Sequence, residues 1–204
     1  MLKGIYAITP NDLEEKDLLK KVSTLFELDI PLIQLREKNR NFEEKYYLAK
    51  EILKLRGDLQ TKIIINDDPK LAKIVSADGV HLGNSDPTYL EAREILGEES
   101  IIGISCQNNI DIALKAQELG ANYVAFGSVF SSKTKHNTSF CSIDNLKKMI
   151  KEIDINTVAI GGINIENINK LSGCKVDFLA ISSGLFDGDI ELNYKNLISS
   201  YSNS

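Results

Sequence analysis

A chain of 204 residues with 43% hydrophobic and 26% charged side chains and a formal charge of -5 has the make-up of a globular protein, not of a disordered or fibrous one. The acidic balance argues against a nucleic-acid surface, while leaving room for a few local cations to hold a small anion. Cys106, Cys141 and Cys174 cannot all pair within the chain and show no CxxC spacing, MLKGIYAITP has no signal core, and no apolar run nears a membrane span, so a soluble, unprocessed cytoplasmic protein is expected.

Gly4 to Thr9 (GIYAIT) predicts a first strand, and Asp17 to Leu28 a helix with Leu18, Leu19, Val22, Leu25 and Phe26 along one face. Leu32 to Glu37 reads as a second strand and Phe42 to Arg56 as a helix stopped at Gly57. Ile63, Ile64 and Ile65 form a β-branched run that ends at Asn66, Asp67 and Asp68, as a buried parallel strand ends at a polar rim. A helix opens at Pro69, a strand runs from Gly79 and closes at Gly83, and Asp86 precedes a helix opening at Pro87.

Ile101 to Ser105 is the fifth strand, Ile110 to Leu119 the fifth helix ahead of Gly120, and Tyr123 to Val129 the sixth strand. The stretch from Phe130 to about Cys141 is the longest connection after a strand, and long loops there often serve as lids. Helices at Ile143 to Ile153, Glu166 to Ser172 and Leu192 to Tyr201 alternate with strands at Thr157 to Gly161 and Phe178 to Ser182. Eight strand-helix pairs in a chain of this length favour an α/β fold closed into a single (β/α)8 TIM barrel over residues 1–204, with an open doubly wound sheet as the competing arrangement. The first strand is not followed by G-x-G-x-x-G, which counts against dinucleotide binding.

In a barrel, the polar residues at the carboxyl ends of the strands carry the chemistry. Asp67 and Asp86 lie on neighbouring strand-end loops, and Mg²⁺ takes one or two carboxylates while filling its shell with water and substrate phosphate. Helix N-capping beside Pro69 and Pro87 is the competing role for both acids. In the second strand a two-residue period puts Gln34, Arg36 and Lys38 on one face, which suits a bound anion; a solvated strand end with a local ion pair is the plainer alternative.

Small residues recur at one parity in the last four strands: Gly103 and Ser105, Ala125 and Gly127, Ala159 and Gly161, Ala180 and Ser182. Turned inward, they leave room for a ligand. Gly161, Gly162, Ser182, Ser183 and Gly184 offer backbone N–H groups where barrels hold phosphate, although tight packing also selects glycine. Lys133 and Lys135 suit a phosphate covered after binding. His81 reads as a hydrogen-bonded core residue and Cys106 as a small filler.

The blocks YAIT (6–9), QLREK (34–38), IIND (64–67), DGVHLGNSD (78–86), GIS (103–105), FGSVFSSKTK (126–135), AIGGI (159–163) and AISS (180–183) together resemble the thiamine phosphate synthase family over nearly the whole chain. The resemblance implies a transferase that joins a hydroxymethylpyrimidine diphosphate to a thiazole phosphate, releasing pyrophosphate. It implies Mg²⁺ on Asp67 and Asp86. The pyrimidine diphosphate falls to Gln34, Leu35, Arg36, Glu37, Lys38, Asn66, Ser105 and Lys135, and the thiazole phosphate to Ser132, Lys133, Thr134, Gly162, Ile181 and Ser182.

Arg36, Lys38, Ser105 and Lys135 then form the catalytic set, stabilising charge on a diphosphate that departs before the new bond forms. Ser132, Cys106 and Gln107 depart from the family's usual pattern. Competing expectations are a thiazole tautomerase-like relative and a non-catalytic barrel that binds a phosphorylated ligand. Phosphorylated small molecules are the expected partners, with self-association left open.

Overall fold

The computed structural model describes residues 2–131 and 140–202. Eight parallel strands close a barrel in chain order: β1 (Gly4–Ile8), β2 (Leu32–Leu35), β3 (Lys62–Asn66), β4 (Gly79–Leu82), β5 (Ile101–Gln107), β6 (Tyr123–Phe126), β7 (Asn156–Ile160) and β8 (Phe178–Ile181). β8 pairs back onto β1, with Ala180 opposite Tyr6. Helices α1 (Glu15–Glu27), α2 (Phe42–Arg56), α3 (Pro69–Val75), α4 (Tyr89–Leu96), α5 (Ile110–Leu119) and α6 (Ile143–Ile150) follow the first six strands. A 3₁₀ helix (Ile168–Cys174) follows β7, and α7 (Ser183–Phe186) and α8 (Ile190–Ser202) follow β8. The architecture is the expected (β/α)8 barrel.

The two-residue period of each strand divides the apolar side chains into two shells. Tyr6, Ile8, Leu32, Ile64, Tyr123, Ala125, Val158 and Ala180 fill the barrel interior. Ile5, Ile33, Ile63, Ile65 and Leu179 instead cluster with Leu18, Val22, Leu48, Ile52 and Leu197 of the helices. Burying one such Ile or Leu contributes about 1.5–3 kcal/mol. Among the described residues, no helix is long and apolar enough to cross a membrane.

The structure corrects several expectations. β2 stops at Leu35, because the Arg36 N–H leaves the ladder to donate to Thr9 Oγ1 at 2.9 Å. Pro87 does not open α4: Thr88 caps that helix in a reciprocal capping box with Glu91, and Pro87 precedes the cap. The helix expected at Glu166 to Ser172 is the 3₁₀ helix instead, as Asn164 and Asn167 side chains bond nearby backbone groups that an α-helix would use. β6 and α6 end at Phe126 and Ile150, short of the predicted Val129 and Ile153, and the short α7 was not anticipated.

In β7 the inward residues are Val158 and Ile160, set by the pairing of Ala125 with Val158, and Ala159 faces the helices. Nor does Gly103 leave room for a ligand. A Cβ there would run into the Tyr123 ring, which occupies that space.

Candidate active site

β3 and β4 end side by side, with Asn66 opposite His81, and the chain beyond each strand delivers one carboxylate to the rim. Capping does not account for either acid. α3 is capped by Asp68, whose side chain accepts from the Leu71 N–H at 2.9 Å, and α4 by Thr88. Asp67 takes a left-handed conformation at φ 66°, which Asp and Asn tolerate better than most side chains, while its N–H donates to the His81 carbonyl at 2.8 Å. Asp86 Oδ2 accepts from the Gly83 N–H at 2.6 Å, folding the loop after β4 back on itself.

The outcome is that the Asp67 and Asp86 carboxylates are close enough for Asp67 to act on the Asp86 carboxyl. Burial pushes the Asp86 carboxyl above the usual range, and the hydrogen bond and charge of Asp67 push it further, against the Gly83 N–H and Lys38. From the end of β2, Lys38 Nζ approaches Asp67 Oδ2 at 3.4 Å. Two neighbouring carboxylates repel each other, and a cation placed between them relieves that repulsion. Among the described residues, no group of three or more His, Cys, Asp or Glu side chains is poised to hold a metal ion. Two oxygen donors with the rest of the shell open fit Mg²⁺.

The loop that carries Arg36 and Lys38 is held from β1. Thr9, fully buried, receives the Arg36 N–H at 2.9 Å and donates to the Arg36 carbonyl at 3.3 Å. Asn11 Oδ1 accepts from the Lys38 N–H at 2.9 Å. Glu37 is buried and paired with Arg40, whose guanidinium also reaches Glu15, each at 3.3 Å. Burial raises the Glu37 carboxyl, with Arg40 opposing it. Leu35 and Ile181 belong to the outer apolar shell, so their side chains face the helices.

Gln34 and Ser105 lie at inward register positions, opposite Ile64 and Ala125 respectively. Gly161 and Gly162 have φ of 105° and 65°, and a Cβ on either would strike the Ser128 to Ser131 backbone or the Ser128 side chain. Close packing of the loop after β6 therefore requires both glycines. Ser182 precedes α7, its carbonyl accepting from the Leu185 and Phe186 N–H groups. Ser132, Lys133, Thr134 and Lys135 lie outside the described residues. Sequence reasoning assigned no role to Thr9, Asn11 or Tyr123, although the YAIT block held a signal for the first of them.

A closed parallel barrel with acids and cations gathered beyond β2, β3 and β4 defines a (β/α)8-barrel enzyme working at the carboxyl ends of its strands. A family model described as thiamine monophosphate synthase matches residues 5–185. The chain belongs to that family, and so to the transferases. The thiamine-phosphate synthase of Nitrosospira multiformis is 41% identical over 185 residues, covering 91% of this chain and 79% of that protein. The thiamine-phosphate synthase of Nitrosococcus oceani is 38% identical over 186 residues, covering 91% of this chain and 86% of that protein. The solved thiamine phosphate pyrophosphorylase from Pyrococcus furiosus superposes with a TM-score of 0.86 at 29% identity, covering 98% of this chain and 96% of that one.

Proposed function

We propose that this enzyme condenses 4-amino-2-methyl-5-(diphosphooxymethyl)pyrimidine with 4-methyl-5-(2-phosphooxyethyl)thiazole, giving thiamine phosphate and pyrophosphate. The observation that carries the reading is the meeting of Asp67, Asp86 and Lys38 at the ends of three adjacent strands in a chain of this family. Asp67 and Asp86 would hold Mg²⁺. When bound, the ion supplies positive charge next to the diphosphate and so favours its departure.

The protein's own groups supply the rest. Arg36 and Lys38 set a guanidinium and an ammonium against the diphosphate oxygens, and Lys135 adds a third cation. Ser105 donates a hydrogen bond to the same oxygens. The bond between the pyrimidine methylene carbon and oxygen breaks with its electron pair leaving on pyrophosphate, and the electron-poor carbon takes the lone pair of the thiazole nitrogen. No side-chain nucleophile is needed. Cys106 is ill suited to be one, since burial pushes its thiol up to about 12.

Gln34 and Asn66 bind the pyrimidine from the barrel interior, with the main chain of Leu35 and Glu37 alongside. Ser132, Lys133, Thr134, Gly162, Ile181 and Ser182 hold the thiazole phosphate. Mixing both substrates with Mg²⁺ and following thiamine phosphate tests the reading directly. Asp67→Ala or Asp86→Ala is expected to abolish pyrophosphate release in a folded barrel. Full turnover in excess chelator would reject the metal role.

A further inference from the structure

A chain of four buried polar side chains crosses the barrel interior, and the chemistry above uses only its first member. Gln34 Nε2 on β2 donates to the Tyr6 hydroxyl on β1 at 2.8 Å. The Tyr6 and Tyr123 hydroxyls are 2.8 Å apart, and the Tyr123 hydroxyl lies 3.0 Å from His81 Nδ1 on β4. Gln34 is 2% exposed and His81 8%. The Tyr123 ring stacks on the imidazole at 5.7 Å and meets the Tyr6 ring edge-on at 5.8 Å. The missing side chain at Gly103 makes this possible.

With the Gln34 amide nitrogen turned toward the Tyr6 hydroxyl, counting protons sets the direction of the remaining hydrogen bonds. Burial pushes both phenols well above their ordinary value, so each keeps one proton and donates one hydrogen bond. The Tyr6 oxygen already receives the Gln34 amide, so the Tyr6 proton goes to Tyr123, and the Tyr123 proton goes to His81 Nδ1. A ring nitrogen that accepts carries no proton, so the neutral imidazole is protonated at Nε2. At the other end, the Gln34 amide oxygen meets no hydrogen-bond donor among the described residues. It is left as an acceptor. Turning the amide over would reverse every bond in the chain and move the His81 proton to Nδ1, so the two ends are coupled.

We propose that Tyr6 and Tyr123 are positioning residues that hold the Gln34 amide with its oxygen offered to the substrate ring, so that the site selects a ring bearing an amino donor over its oxo counterpart, and that the same chain keeps His81 as the Nε2–H tautomer. The identity of the ring rests on the function proposed above; the direction of the chain does not. A site built to accept a hydrogen bond rejects an analogue that cannot donate one, because the buried acceptor is then left unpaired.

The first test is ¹⁵N NMR of the imidazoles in the whole protein, where His136 is the only other histidine and is assigned by His136→Gln. The expected result is His81 unprotonated at Nδ1 and protonated at Nε2; a proton on Nδ1 overturns the proposal. The second is Tyr6→Phe, which leaves the amide free to turn. Its kcat/KM for the pyrimidine diphosphate should fall about tenfold, carried in KM, with the thiazole KM unchanged, discrimination against the oxo analogue weakened and His81 in mixed tautomers. A folded variant in which both KM values move together, or neither moves, overturns the proposal. Should Tyr6→Phe fail to fold, Tyr123→Phe takes its place: mixed His81 tautomers support the chain, and an unchanged imidazole spectrum sinks it. Absence of any thiamine phosphate would defeat the proposed function alone, since the wild-type spectrum still reports the chain.

Discussion

Replacing Asp67 with Asn removes one of two adjoining carboxylates while keeping a side chain of nearly the same shape. Two unit charges about 4 Å apart repel by about 1 kcal/mol in water and about 4 kcal/mol at an effective dielectric of 20. Asp67 has a side chain 33% exposed, so the lower end, about 1–2 kcal/mol, applies at this rim. The variant loses the ion pair with Lys38, worth about 0–1 kcal/mol between exposed partners. Asn tolerates the left-handed backbone at this position as well as Asp does. The net gain is about 1 kcal/mol, or a Tm about 2–4 °C above wild type in chelator.

Added Mg²⁺ should reverse that order, because a ligand that binds only the folded state raises its stability and the variant has lost half of the site. Thermal melts of both proteins in chelator and in Mg²⁺ make the check. The pH dependence follows from the raised Asp86 carboxyl: its contribution is present at acid pH, below the ordinary carboxylate value, and is lost as pH rises through the raised folded value. The metal-free wild type should therefore lose stability relative to the variant across that window. A variant less stable than wild type in chelator, or one with an equal Mg²⁺ shift, would refute the reasoning.

Thr9→Val leaves the Arg36 N–H without its partner and should cost about 1–3 kcal/mol, seen as a lower urea midpoint, with a reduced kcat as the cationic loop loosens. An unchanged kcat would show that Thr9 does not position Arg36. Gly103→Ala should destabilise by about 1–3 kcal/mol, since its methyl group displaces the Tyr123 ring; an unchanged Tm would contradict that contact. Burial pushes Cys106 and Cys141 thiols up to about 12 and about 11, and Cys174 is 2% exposed. Iodoacetamide at mildly alkaline pH should leave all three unlabelled in the native protein and modify them in denaturant, which mass spectrometry reads.

The barrel is legible because alternating periods of two and 3.6 survive in short strands and amphipathic helices, and because acids such as Asp67 and Asp86 stand out where an apolar run stops. What a strand buried on both sides conceals is which parity faces inward. NTVAI reads equally well with Ala159 or with Val158 inside, and only the pairing of β6 with β7 decides. Pro87 drew the helix start forward, whereas the signal that governs it, Thr88 with Glu91 three residues on, was also present. The Tyr6–Tyr123 contact joins residues 117 positions apart, and neither strand read alone announces the other. Likewise Thr9 belongs by sequence to the first strand, yet its work is done on the backbone of Arg36.

The most direct measurement is single-turnover formation of thiamine phosphate and pyrophosphate from the two phosphorylated substrates, with Mg²⁺ and with excess chelator, for wild type, Asp67→Asn and Asp86→Asn. Stoichiometric product from wild type only with Mg²⁺, and none from either folded variant, is the predicted result. Equal product in chelator, or full activity in both variants, would contradict the assignment of the acid pair to the departing diphosphate.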